Sequence, residues 1–298
     1  MSKTSNSPPP ERDALAADLL KLLELERIEE NLYLGQNEQR SPTRLFGGQV
    51  LSQALMAASR TVEGGLAAHS LHAYFLTPGQ IHRPVLYEVE RIRDGRSFTT
   101  RRVVAVQEGR AIFSMDVSFQ IQEIGFEHAH AMPNVPLPDE LEDDLQVALA
   151  MGDDPRLGLL AKHARPFEIR SVFKLGSQPW SEDRTHNPSW IRFPSKVDDP
   201  VLARALLAYA SDMGLVSTAA LPHQSEVPRK QIQTASLDHA LWIHREVVMG
   251  EWLLLHRRTT MAEGARGLIH ADFYSESGAL VASVTQEGLL RVLDQPAS

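Results

Sequence analysis

The chain has 298 residues, 43% of them hydrophobic, enough to build one large or two ordinary domains around a sizeable core. Its net charge of −8 argues against general binding to nucleic acid or anionic membrane, though not against an anionic ligand held by a few local arginines. It has no cysteine, which excludes disulfides, thiolate metal sites and a cysteine nucleophile.

In chain order, the N-terminal "MSKTSNSPPPERD" is polar and proline-rich. It lacks the apolar centre of a signal peptide and reads as flexible. Asp13 is placed to cap a short helix through "ALAADLLKLLEL", so residues 1–23 form a flexible end and one helix. A first unit spans 24–123. It begins with extended "ERIEENLYLGQ", then a glycine pair opening a helix, "RLFGGQVLSQALMAASRTV". Four strands follow: "SLHAYFL", "VLYEVERIRD", "SFTTRRVVAVQ" and "AIFSMDVSFQI". Residues 124–165 are rich in proline and acid and read as a linker, with some helix in "ELEDDLQVALAM".

From 166 to 298 the order repeats. "FEIRSVFK" and "SWIRFP" read as strands, and "DPVLARALLAYASDM" as a helix with Asp198 or Asp199 at its cap and Pro200 in its first turn. Then come "IQTASLDHALWIHR", "EWLLLHRRTTMA", "RGLIHADFYSE" and "ALVASVTQEGLL", again four strands. Ser70 overlays Ser236, and Gln120 overlays Gln286 at the same interval. The expected fold is α+β: one duplicated unit, a curved antiparallel sheet wrapped around a central helix. The longest nearly uncharged stretch, "ALLAYASDMGLVSTAAL", is short and interrupted by Asp212, so no membrane insertion and a cytoplasmic location are expected.

Three polar residues sit in apolar places. Gln286 shares a strand face with Leu280, Ala282 and Val284, where an unpaired amide costs about 1–3 kcal/mol. Asp212 lies on the stripe of Ala205 and Ala208, either as a partly buried acid or as a cap before Gly214. Ser236 alone reads as a hydroxyl satisfied by backbone. Together, an acid, a hydroxyl and an amide can hold one water, the carboxylate taking its proton while the others aim its lone pairs at an activated ester.

The motifs "LFGGQVLSQAL", "HSLHAYFLTPG", "YASDMG", "ASLDHALWIHR", "EWLLLH", "ARG" and "FYSESGALVASVTQEGLLR", spread from about residue 24 to 293, resemble the acyl-CoA thioesterase II family of double-hotdog thioesterases. The resemblance implies two fused hotdog units and hydrolysis of acyl-CoA without metal or other cofactor. It carries the catalytic aspartate onto Asp212, the hydroxyl onto Ser236 and the glutamine onto Gln286. Serine stands where threonine is commoner, which loses a methyl that restrains the rotamer. The family's assemblies imply a homodimer or homotetramer.

Other residues have plainer readings. Adjacent strand residues point to opposite faces, so Asp238 and His239 cannot serve one site without a bulge, and Asp238 reads as structural, with catalysis as the rival reading. His239, His244 and His256 lack metal-box spacing, and the histidines of "FEHAHAMP" read as solvated. Gly47 and Gly48 fit close helix packing better than anion binding. The basic hairpin with Arg91, Arg93, Arg96, Arg101 and Arg102 could meet CoA phosphates, but a solvated face explains it as well. The alternatives are a hotdog hydratase or dehydratase, which needs an inward histidine paired with an acid, and a non-catalytic acyl-CoA sensor.

Overall fold

A computed structural model describes residues 11–38, 44–150, 165–173 and 185–293. The proline-rich N-terminus, the rest of the linker and the end of "FEIRSVFK" lie outside the described residues. Helix α1 (Arg12–Leu22) starts at Glu11, which makes no side-chain cap bond; Asp13, the expected cap, sits in its first turn instead. The hairpin β1 (Glu26–Glu29) and β2 (Leu32–Gly35) precedes α2 (Gly47–Ser59). Strands β3 (Ala67–Phe75), β4 (Val85–Asp94), β5 (Phe98–Gln107) and β6 (Arg110–Gln120) follow. Their apolar residues alternate with polar ones, as a sheet with one buried face requires. Glu108 and Gly109, both at positive φ, close the β5–β6 turn.

The second half contains α3 (Asp144–Ala150), β7 (Glu168–Ser171), β8 (His186–Arg192), α4 (Pro200–Ser211) and the one-turn α5 (Leu215–Ala219). Asp199 caps α4 by accepting from the amides of Val201 and Leu202 at 2.8 and 3.4 Å, with Pro200 behind it. Strands β9 (Ile232–Ser236), β10 (Asp238–Ile243), β11 (Leu253–Glu263), β12 (Arg266–Ser275) and β13 (Leu280–Val292) complete it.

All strands join one antiparallel sheet in the order β1-β2-β4-β5-β6-β3-β10-β13-β12-β11-β8-β7, with β9 on β13. The halves meet where β3 pairs with β10, Leu71 opposite Leu241. Helices α2 and α4 pack on the inner face and against each other. Nearly all of α2 from Gly48 to Ala58 is buried, as is α4 from Ala205 to Ser211. Gly48 permits the crossing, because a methyl there would collide with the Tyr209 carbonyl oxygen. The expected preference for packing at Gly48 is therefore what the structure has.

The repeat does not extend to side-chain direction. Gln120 hydrogen-bonds Glu123 on the polar side of β6, opposite the buried Met115, Val117 and Phe119. Gln286 is fully buried on β13, so the overlaid glutamines occupy opposite faces. The linker is also less solvated than its composition suggests. Met132, Val135 and Leu141 pack on the outer cluster of Trp190, Trp252, Leu254 and Tyr274, and Trp190 donates to the Pro136 carbonyl at 2.8 Å.

Candidate active site

Asp212 occupies the C-cap of α4 and is only 8% exposed. Both readings of it thus hold: it ends the helix and it is buried. Gly214, at φ 74°, turns the chain directly after it, and the buried Arg257 fixes that turn by donating to the Met213 carbonyl at 3.1 Å and to Ser189 at 2.6 Å. Burial lowers the pKa of Arg257 to about 10.

The first carboxylate oxygen of Asp212, Oδ1, accepts from the Ser236 hydroxyl at 3.1 Å. The second, Oδ2, faces the start of α2, where a methyl on Gly47 would come within 2.6 Å of it. Burial raises the carboxyl pKa, opposed by hydrogen bonds from Gln286 and Ser236 and the attraction of Arg165. The C-terminal end of α4 also disfavours the charge, while the positive end of α2 favours it. A raised pKa on a carboxylate held open to a pocket suits a base.

A bulge builds the rest of the site. Ser236 pairs with Gly288, but Ala240 pairs with Thr285, so β9 and β10 carry one residue more than β13 between those points. Ser236 and His239, three apart, would face opposite ways in a regular strand. Here Ser236 reaches Asp212, and His239 is 1% exposed on the inner face. Asp238 does hold its neighbour: its Oδ1 accepts from the Glu287 amide at 2.6 Å, and the Leu237 amide reaches the Glu287 carbonyl.

Behind Ser236 lies Gln286, whose Nε2 donates to the Ser236 oxygen at 3.0 Å. Its Oε1 is 2.5 Å from Nδ1 of His239. The other ring nitrogen of His239, Nε2, is 2.8 Å from Ser211 Oγ, which also lies 2.8 Å from the Ala208 carbonyl. The three residues singled out in the sequence are thus brought together. His239 and Ser211 complete the chain; strand parity hid His239, and Ser211, the last residue of α4, was not singled out.

A pocket of about 610 Å³ opens on this cluster. Asp212, Ser236 and Gly47 line it, and Gln286 does not. Leu45, Phe46, Val50, Phe75, Ile112 and Phe113 give an apolar wall; among the described residues Arg44, Arg165 and Arg229 stand against two lining carboxylates, Glu38 and Asp212. Arg165 lies over the Phe46 ring at 4.2 Å, and Arg44 donates to the Thr234 carbonyl at 2.8 Å. Among the described residues neither Arg165 nor Arg229 forms an ion pair. None of the five hairpin arginines lines the pocket: Arg101 is buried on Thr61 and Asp94, and Arg102 pairs with Asp116. Among the described residues no group of three or more His, Cys, Asp or Glu side chains could hold a metal, and no helix is long and apolar enough to cross a membrane.

An antiparallel sheet around paired helices, with a buried acid at a helix–sheet seam and an apolar pocket, defines an α+β protein of the hotdog type. Similarity to known proteins narrows this. Residues 165–289 match the sequence model of the acyl-CoA thioesterase family, and residues 38–120 that of the acyl-CoA thioesterase N-terminal domain. The chain is 35% identical to acyl-CoA thioesterase 2 of Haemophilus influenzae, over 92% of this chain and 97% of that one. It is 35% identical to human acyl-coenzyme A thioesterase 8, over 96% and 92%. An acyl-CoA thioesterase II from Mycobacterium marinum superposes with a TM-score of 0.77 at 39% identity, covering 93% of this chain and 99% of that one. A hot dog fold protein from Alicyclobacillus acidocaldarius, at 19% identity and TM-score 0.74, shares the fold. The chain belongs to the acyl-CoA thioesterase II family, hydrolases that act on thioester bonds.

Proposed function

We propose that this enzyme hydrolyses acyl-CoA to free acid and CoA by direct attack of water, with Asp212 as general base. The observation that carries this reading is the Asp212 carboxylate itself. It is buried, raised in pKa, steadied through Oδ1 by Ser236, and left with Oδ2 toward the pocket wall at Gly47. Water on Oδ2 gives up its proton as its oxygen attacks the thioester carbonyl. Ser236 holds the carboxylate and borders the water, and Gln286 acts from behind by holding Ser236. The first-turn amides of α2, at Gly47 and Gly48, have no acceptor one turn back in the helix and can take the developing oxyanion. The thiolate leaves with little assistance, which is why an ester of this kind needs neither metal nor covalent nucleophile.

The apolar wall fits an acyl chain, and the three arginines fit the CoA phosphates. We also propose that 24–123 and 166–298 are two fused hotdog units joined by 124–165. The meeting of β3 and β10 and the packing of α2 on α4 support this. A cytoplasmic homodimer or homotetramer belongs to the same reading.

The inward histidine that a hydratase needs is present in His239. His239 does not line the pocket, and both its nitrogens are engaged by Ser211 and Gln286, so it cannot reach a substrate proton. Thiol release from acyl-CoAs of graded chain length tests the proposal. Binding without release at any length would favour the sensor and overturn hydrolysis.

A further inference from the structure

We propose that His239 is a positioning residue whose Nδ1–H fixes the side-chain amide of Gln286, and through it the orientation of Ser236 toward Asp212. The inference rests on the reading of Asp212 as the ionised base.

Five groups share the protons of this chain. Asp212 Oδ1, if ionised, can only accept, so the Ser236 hydroxyl must donate to it. The Ser236 oxygen then needs a donor behind it, which only the NH₂ side of Gln286 supplies, at 3.0 Å. This turns Oε1 of Gln286 toward His239, where Nδ1 at 2.5 Å must carry a hydrogen. A neutral ring has its single proton there, so Nε2 is an acceptor, which Ser211 at 2.8 Å meets by turning its one hydroxyl hydrogen from the Ala208 carbonyl, also at 2.8 Å, to the ring. Every donor in the chain points toward the carboxylate.

Two other arrangements exist, and each conflicts with a charged Asp212 or with burial. In the reverse chain the Gln286 amide is flipped and His239 carries its proton on Nε2. Ser236 then donates to Gln286 and turns a lone pair to Asp212 at 3.1 Å, which is tolerable only if Asp212 is protonated. In the third, His239 is an imidazolium donating from both nitrogens while Ser211 donates to Ala208. That buries a cation at 1% exposure with only neutral groups on its nitrogens. Burial indeed pushes the His239 pKa down, against the pull of Asp212, the Gln286 bond and Asp238. An amide can flip at no cost in shape, so without His239 nothing on the far side of Gln286 selects its NH₂ side for Ser236. The histidine makes the choice because a proton on Nδ1, 2.5 Å from the amide, takes Oε1 for itself and leaves the NH₂ side to Ser236.

Two measurements test this. Long-range proton–nitrogen correlation on the ¹⁵N-histidine-labelled enzyme, with the His239 signals identified by their loss in His239→Asn, reads the tautomer directly. A protonated Nδ1 with an unprotonated Nε2 is expected under assay conditions; the Nε2–H tautomer, or an imidazolium, overturns the proposal. The second is kinetic. His239→Leu keeps the packing but removes the donor, and kcat should fall about ten- to hundredfold with KM little changed. His239→Asn places an amide nitrogen where Nδ1 stands and should recover most of that loss, whereas His239→Gln reaches toward Ser211 instead and should not. Equal impairment of folded Leu and Asn variants, or no impairment in either, overturns the proposal. If the Leu variant does not fold, the wild-type tautomer still decides. Asp212→Asn assayed alongside tests the base reading separately, since its outcome leaves the wild-type tautomer unaltered.

Discussion

Asp212→Asn removes the base with the least change in shape. The amide oxygen can still accept from Ser236, so the Oδ1 contact survives. What is lost is the oxygen at the Oδ2 position, the only one left to take a proton. The other carboxylate lining the pocket among the described residues, Glu38, lies three residues after β2 and on neither α4 nor β13. With no substitute, kcat should fall by at least about a hundredfold, or about 2.7 kcal/mol in barrier. Stability should move the other way. The folded pKa of Asp212 is raised above its ordinary 3.8, chiefly by burial. A group raised in this way stabilises the fold fully below its unfolded pKa and loses that contribution as pH climbs through the folded value. At neutral pH the ionised side chain is therefore a burden that asparagine lacks, and the variant should melt at or above the wild-type temperature. The gain should shrink as pH falls toward 3.8. In the wild type the acid limb of kcat should lie above 3.8, and in the variant it should vanish. Thiol release and thermal melts on the same samples check both halves. A folded Asp212→Asn enzyme retaining more than about a tenth of wild-type turnover would refute the assignment of the base.

Three further outcomes follow from single contacts. Gly48→Ala forces a methyl onto the Tyr209 carbonyl and should cost about 1–3 kcal/mol, read as a lower urea midpoint. Asp238→Asn turns a charge-assisted bond to the Glu287 amide into a neutral one and should cost about 1 kcal/mol, with turnover per folded molecule retained; a folded but inactive variant would mean that the acid is Asp238. Arg229→Gln should raise KM for acyl-CoA several-fold, on the order of the loss of one phosphate contact, and leave KM for an acyl-pantetheine thioester unchanged; an equal rise for both would remove Arg229 from the phosphate subsite.

Much of the fold was legible because its signals are local. Period-two alternation marks β4, β5 and β6 almost to the residue, and Asp199-Pro200 marks the start of α4. Asp212, Ser236 and Gln286 stood out because each is polar where its neighbours are apolar. The sequence was silent wherever partners are distant. The Trp190–Trp252 cluster draws the linker inward, and Arg44, Arg165 and Arg229 line one pocket from three separate stretches of the chain. The hairpin arginines looked like a site because they are adjacent in sequence, yet Arg101 spends its donors on Thr61, Arg93 and Asp94.

His239 shows how one inserted residue defeats a parity argument. Read as one strand, "IQTASLDHALWIHR" puts Ser236 and Asp238 on one face and His239 on the other. That points to Asp238 as the second polar group of the site. The extra residue between the Ser236–Gly288 and Ala240–Thr285 pairs reverses the choice. It carries His239 inward and leaves Asp238 at the interruption of the ladder, where the Glu287 amide would otherwise lack an acceptor. Asp238 therefore stabilises the irregularity, and the irregularity places Ser236 and His239 on either side of Gln286. The acid that looked like a rival for catalysis thus has a structural part in the same site. It holds open the bulge through which a hydroxyl and an imidazole three residues apart can reach one amide.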